Sequence, residues 1–510
     1  MSLEEKIRTL RQLKERVRMG GGPERIARHH EQNKLSARER VDRILDPGSF
    51  VEINALGDLE FSLDKPYGFG DGIVTGHGKI DGRQVCIFSQ DATIKGGSVG
   101  AVHRYKIAHI IDTALMMRVP IVALNDSAGE RIVRETHISV GSNFYSFSRA
   151  SGIIPQISAI LGNCAGNAVY GAALTDFIFM VDGISRMTIT GPRVVKEVTG
   201  EDISLEELGG ARVHARISGC CDFRCKSEEE CFQSMRKLIG FLPSSCEEHP
   251  PRTPMRDEPD RDVQGIEEIL PVESRKIYDM HLIIEKIVDM GDFLEVKREW
   301  AQNLITGFAR FDGYPVGIIA NQPRILGGSI TVDSSDKSAR FIRFCDSFNI
   351  PIVFLMDVPG YFPGREQEYA GIIRHGAKVL YAISEATTPI VSVIIRKAYG
   401  GGVTAMGGHL ALGVDRIISW PTGEIAVMSP EAAVEILFRE DIRKSQDPPA
   451  RRAELIREYE ERFYTPYYGA GALRIHDVIE PADTRRMLIK TLELLRGKKT
   501  DKKIHGNIPL

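Results

Sequence analysis

The chain has 510 residues, enough for two or three domains, and its 42% hydrophobic and 26% charged residues are ordinary for a globular enzyme. A formal net charge of −3 gives no argument for nucleic acid or an anionic membrane as partner. Apolar runs such as IVALN and PIVSVII are too short to span a membrane, and eight cysteines are too sparse for a disulfide framework.

The opening MSLEEKIRTLRQLKERV predicts a helix with Leu3, Ile7, Leu10 and Val17 on one face. Its Glu4, Glu5 and Glu15 fit neither a secretory signal nor a transit peptide, so a cytoplasmic protein is expected. A capping box, Ser36 with Glu39, opens a second helix that Asp46-Pro47-Gly48 closes. The β-branched strand VCIFSQD leads through a glycine turn to the helix AVHRYKIAHIIDTALMM. A buried strand follows and ends in NDSAG (125–129), then another helix, a strand and the glycine turn CAGNA (164–168). Alternating strands and helices predict parallel strands joined by right-handed crossovers. Cys220, Cys221, Cys225, Cys231 and Cys246 fall in one stretch without a C-x-x-C pair, so free thiols are expected rather than zinc. Glu228, Glu229 and Glu230 read as a solvated helix start.

The second half repeats the first. TGHGKIDGRQV from Thr75 and TGFARFDGYPV from Thr306 stand 231 residues apart. The same offset pairs Asp81-Gly82 with Asp312-Gly313, Gly96-Gly97-Ser98 with Gly327-Gly328-Ser329, and PIVALNDSAG with PIVFLMDVPG. It grows to 234 where Pro155 and Gly166 meet Pro389 and Gly400, and to 238 where Pro192 and Glu197 meet Pro430 and Glu435. The chain therefore reads as two copies of one domain, 1–250 and 263–510, joined by the proline- and charge-rich PPRTPMRDEPDRD.

Two sites recur in each copy: the strand end, NDSAG or MDVPG, and the turn, CAGNA or AYGGG. A strand that enters a glycine turn and then a helix exposes free backbone N–H groups, which suit an oxygen gaining negative charge. Two equivalent sites suggest two oxygens to polarise, although glycines also simply make tight turns. No P-loop, G-x-S-x-G or H-E-x-x-H string occurs. Cys164 reads as a buried small side chain, and His103, His109 and His409 as structural or surface histidines.

The strings FSQDATIKGGS, LNDSAGERI, IPQISAILGNCAG, FLMDVPGYFPGREQEYAGIIRHGAKVLYA, RKAYGGG and the closing HGNIPL resemble the propionyl-CoA carboxylase β-subunit family of biotin-dependent carboxyltransferases. The resemblance covers nearly the whole chain. It implies an α/β fold of two tandem crotonase-like (ClpP/crotonase, ββα-spiral) domains with a helical N-terminal extension. The first domain would bind acyl-CoA and the second biotin, with the site formed between subunits of a hexamer. The implied reaction moves CO2 between biotin and the α-carbon of a short acyl-CoA such as propionyl-CoA, using two oxyanion holes and no acid–base side chain. One hole falls on the N–H groups of Gly166 and Asn167, the other on Gly401 and Gly402. Ser127, Ala128, Gly129 and Thr404 fall on the acyl side; Asp357, Gly360, Tyr361 and Phe362 fall on the biotin side. Asn167 stands where the family usually has glycine, and Thr404 where its propionyl enzymes carry aspartate. ERIVRETHISVG also differs from the usual short segment after Gly129.

No A-M-K-M string occurs, so biotin is expected on a separate carrier, with a biotin carboxylase as further partner. No metal is expected. The alternative is the same chemistry in a decarboxylase or transcarboxylase acting on methylmalonyl-CoA or glutaconyl-CoA. A biotin-independent hydratase or isomerase would need a carboxylate in the cleft. Glu130 is its candidate, set against a surface ion pair with Arg134.

Overall fold

The computed structural model describes residues 2–131, 143–254, 257–261, 263–271, 273, 276–500 and 504–509. The chain divides into two compact units, Met1–His249 with Ile504–Pro509, and Pro250–Lys503 with Leu510. The stretch read as a linker joins the second unit from Pro250 onward. Thr253 N–H donates to the Gly313 carbonyl at 3.0 Å, and Arg252 pairs with Asp312 at 2.9 Å. Ile504–Pro509, expected in the span 263–510, instead groups with the first unit. There Asn507 Nδ2 donates to Asp176 at 3.0 Å and its backbone N–H to Ser151 Oγ at 2.9 Å.

The first unit holds one sheet of β1 (Val51–Ile53), β2 (Ile73–Ile80), β3 (Arg83–Gln90), β4 (Ile121–Ser127), β5 (Gln156–Ala165), β6 (Phe177–Val181), β7 (Arg186–Thr188) and β8 (Phe223–Cys225). Its order is β1-β2-β3-β4-β5-β6-β8, with β7 paired to β5. The second unit repeats it with β9 (Leu294–Val296), β10 (Leu304–Phe311), β11 (Tyr314–Asn321), β12 (Ile352–Val358), β13 (Ile390–Tyr399), β14 (Arg416–Ser419), β15 (Glu424–Ala426) and β16 (Asp477–Val478). There β15 takes the place of β7 against β13. The central strands β4 and β12 are buried throughout, which explains why both read as near-continuous apolar runs.

The all-parallel expectation is corrected at one edge. β1, β2 and β3 form an antiparallel meander, as do β9, β10 and β11. The tight turns are Asp81-Gly82 (φ 48° and 78°) and Asp312-Gly313 (φ 51° and 76°), whose two left-handed residues match the twist of a two-residue hairpin. In each unit an aspartate caps that hairpin. Asp46 accepts from the N–H groups of Asp81 and Gly82, and Asp289 from those of Asp312 and Gly313. Arg236 holds Asp46 and Arg485 holds Asp289, so the device is duplicated with the fold.

The N-terminal helix runs Leu3–Arg18 but buries only Leu13 and Val17; Leu3, Ile7 and Leu10 are exposed. The Ser36–Glu39 capping box opens the helix Ala37–Ile44, which is the third helix rather than the second, because Pro23–Glu31 precedes it. A buried lysine also repeats at the 231 offset. Lys106 Nζ donates to the carbonyls of Gly70 and Ile73, and Lys337 Nζ to those of Lys297, Trp300 and Leu304. Burial lowers their pKa values, to about 8 for Lys106 and about 7 for Lys337. Among the described residues no helix is long and apolar enough to cross a membrane.

Candidate active site

In the first unit, β5 ends at Ala165 and the helix Asn167–Ala173 begins two residues later. Gly166 links them at φ 60° and ψ −135°, a conformation that a Cβ would strain. Its N–H donates to the Thr188 carbonyl of β7 at 3.1 Å, continuing the β5–β7 ladder. That corrects the expected donor pair, because the Gly166 amide is already used. Among the described residues, the N–H groups of Asn167 and Ala168 have no acceptor. Asn167 is exposed and Ala168 half-buried.

In the second unit, β13 runs directly into the helix Gly400–Ala405. There the N–H groups of Gly401 and Gly402 have no acceptor among the described residues. By the 234 offset they occupy the places of Asn167 and Ala168, so both turns present the first two amides after the linking glycine. The Tyr361 ring lies beside Gly401: a Cβ there would stand 3.4 Å from it. A Cβ on Gly402 would come within 2.9 Å of Gly360 Cα and 2.7 Å of Val358 Cγ2, so only glycine fits. Gly360, Tyr361, Gly401 and Gly402 are thus brought together. Phe362 follows, its N–H on the Ile330 carbonyl at 2.8 Å and its side chain 38% exposed.

The strand ends lean on the turns. Ser127 Oγ donates to the Gly97 carbonyl at 2.8 Å and accepts from Gly129 N–H at 3.1 Å, so this hydroxyl shapes the loop. Ala128 is exposed and its N–H donates to the Gly96 carbonyl at 2.9 Å. A Cβ on Gly129 would stand 2.8 Å from the Ala165 carbonyl, which brings 127–129 against the first turn. Thr404 lies half-buried on the helix of the second unit, in a different unit from Ser127, Ala128 and Gly129.

Each strand end carries a buried aspartate held by cations. Asp126 accepts from Lys34 at 2.6 Å and Arg40 at 3.1 Å; Arg40 also binds Glu228 at 2.7 Å and the Leu161 carbonyl at 2.6 Å. Glu228 is therefore a buried partner rather than a solvated helix start, and burial raises its pKa. Asp357 accepts from Arg396 at 3.1 Å and from Lys397 N–H at 3.1 Å, and burial raises its pKa as well. Asp126 N–H donates to the Gln90 carboxamide and Asp357 N–H to that of Asn321, both at 3.1 Å. Gln90 in turn meets His103 Nε2 at 3.2 Å, while His103 Nδ1 lies 3.0 Å from the Asp71 carbonyl, an acceptor that fixes the proton on Nδ1. Burial depresses the pKa of His103 to about 3, so this histidine is a neutral brace.

Other sequence readings fall outside the turns. His109 stacks on Tyr105 at 5.7 Å, and His409 is exposed. Cys164 is buried and its thiol is pushed up to about 12, which makes it a poor nucleophile. Glu130 lies beside the first turn, paired with Arg104. Arg134, its expected partner, and most of ERIVRETHISVG lie outside the described residues. Among the described residues no group of three or more His, Cys, Asp or Glu could hold a metal.

The carboxyl transferase domain family matches residues 28–508. The propionyl-CoA carboxylase carboxyltransferase subunit of Haloferax mediterranei is 48% identical, covering 100% of both chains. The methylmalonyl-CoA decarboxylase α subunit of Propionigenium modestum is 47% identical over 99% of both. Among solved structures, transcarboxylase 12S, a hexamer assembly with methylmalonyl-coenzyme A and methylmalonic acid bound, superposes with a TM-score of 0.95. It is 43% identical, and the match covers 100% of this chain and 99% of that one.

Proposed function

Because the chain belongs to the carboxyl transferase domain family, we propose that it moves a carboxyl group between biotin, attached to a separate carrier protein, and the α-carbon of a short acyl-CoA such as propionyl-CoA. The observation that carries this reading is the pair of amides at each duplicated turn that have no acceptor among the described residues. The N–H groups of Asn167 and Ala168 would receive the thioester oxygen as the enolate forms, and those of Gly401 and Gly402 the ureido oxygen of biotin. Gly166 is assigned to shaping the first turn. The second turn fits a neutral ureido group: its amides stand beside the Tyr361 ring, and the nearby Asp357 carboxylate is turned onto Arg396. When bound there, biotin supplies the carboxyl group and a basic ureido nitrogen. The chain's own part is to position both reactants and polarise two oxygens. Glu130 is held by Arg104, which leaves it poorly placed for a hydratase.

Direction is set by the partners: a biotin carboxylase and carrier for carboxylation, or decarboxylase and transcarboxylase companions as for the relatives above. We assign a hexameric assembly, as for transcarboxylase 12S, and a cytoplasmic location. The test uses the purified chain with free biotin and methylmalonyl-CoA. Biotin-dependent release of propionyl-CoA is expected; turnover that ignores biotin, or none with any carboxyacyl-CoA ester, would overturn the proposal.

A further inference from the structure

Beside the first turn lies a cavity of about 40 Å³. Its lining includes Asn167, Ala168 and Gly171, the apolar Phe88, Ile107, Phe144 and Phe147, and the polar Gln90, Asn125 and the Arg104–Glu130 pair. We infer that this cavity receives the substituent on the α-carbon of the acyl group, and that Gly171, Phe144 and Phe147 set how long that substituent can be. The inference rests on the reading that the Asn167 and Ala168 amides hold the thioester oxygen.

That oxygen and the α-carbon share one carbonyl carbon, so the substituent must leave the oxygen site within a bond or two. The cavity opens at the same two residues. Gly171 stands four residues after Asn167 and three after Ala168, hence on the same helix face. A Cβ there would stand 3.3 Å from Phe147 Cε2, so the absence of a side chain keeps the space open. Phe147 is 3% exposed and joins Phe88 and Ile107 in one apolar cluster, which gives the wall little freedom. Phe144 is half-buried, less enclosed than Phe147, and meets Tyr170 edge-on at 6.2 Å. A volume of about 40 Å³ is roughly a quarter of the ~150 Å³ that holds a benzene, and so admits one or two carbon atoms. The second unit has Ala405 at the place of Gly171, 2% exposed, and lacks that relief at the turn assigned to biotin.

The experiment compares kcat/KM for biotin-dependent turnover of malonyl-, methylmalonyl-, ethylmalonyl- and propylmalonyl-CoA by the full chain and two variants. Gly171→Ala adds one methyl group at a position where alanine also favours helix. It should cut the methylmalonyl-to-malonyl ratio about tenfold, the lower range for one methylene in a fitted pocket. Phe144→Ala should raise the ethylmalonyl-to-methylmalonyl ratio by about the same factor. Thermal melting checks that both variants are folded, and Phe147→Leu replaces either that is not. Unchanged ratios in folded variants, with wild-type turnover intact, overturn the cavity assignment and leave the reaction standing. Absence of biotin-dependent turnover by the wild type overturns the reaction and the assignment with it.

Discussion

Asn167→Pro removes a single proton donor from the first turn and nothing else that the fold uses. Asn167 is the first residue of its helix, and its N–H has no acceptor among the described residues, so no backbone bond is lost. Proline is favoured at that position because its fixed φ already suits a helix. Gly166 before it sits at φ 60° and ψ −135°, the mirror image of the extended conformation that proline demands of its predecessor, which glycine alone adopts freely. The expected change in stability is therefore within about 0.5 kcal/mol. If the amide holds the developing enolate oxygen, losing it costs about 3 kcal/mol of transition-state stabilisation, a fall of roughly 100- to 1,000-fold in kcat. The assay is biotin-dependent conversion of methylmalonyl-CoA to propionyl-CoA, followed over a full substrate range and paired with thermal melting. A variant that melts with the wild type and keeps kcat within a factor of about three would refute the reasoning.

Three further outcomes follow from the geometry. Gly402→Ala pushes a methyl group onto Gly360 and Val358, so the KM for biotin should rise at least about tenfold with the KM for acyl-CoA little changed, read from the same assay with biotin varied. Arg40→Met strips the buried carboxylates Asp126 and Glu228 of a shared cation, so it should destabilise the fold by about 3–5 kcal/mol, lowering the melting temperature on the order of 10 °C. That loss should shrink toward acid pH, because Glu228, whose pKa burial already raises, then carries a proton. Lys337 binds its proton more weakly folded, at a pKa of about 7, than unfolded, near 10.5, so its contribution is fully present above about 10.5, falls away as pH drops below that, and is gone by about 7. The melting-temperature difference between wild type and Lys337→Met should therefore grow in favour of the wild type from pH 7 to 10; parallel curves would contradict it.

Much of the architecture is legible in the sequence because duplication writes it twice. The 231 offset that pairs Thr75 with Thr306 also pairs β2 with β10, β3 with β11 and β4 with β12, residue for residue. The antiparallel meander was signalled by Asp81-Gly82 and Asp312-Gly313, a dipeptide that favours a two-residue hairpin, but strand–helix alternation alone reads as parallel. The used amide of Gly166 was not legible, since its acceptor, Thr188, lies on a three-residue strand 22 positions later. Applying the 234 offset to Gly401 and Gly402 points to Asn167 and Ala168 before any coordinates are seen. The Arg40–Asp126–Glu228 cluster joins residues up to 188 positions apart, and burial of a charge is not visible from composition. Lys106 and Lys337 were detectable, because a lysine recurring at the exact repeat offset inside two helices is unusual for a solvated side chain.

The central claim is that main-chain amides at the first turn polarise the thioester carbonyl. Infrared difference spectroscopy of bound propionyl-CoA, labelled with carbon-13 at the carbonyl, reads that polarisation directly. The wild-type chain should shift the carbonyl stretch to lower frequency than in water, and Asn167→Pro should reverse a substantial part of the shift. A stretch at the solution frequency in the wild-type complex, or the same shift in the variant, would contradict the account.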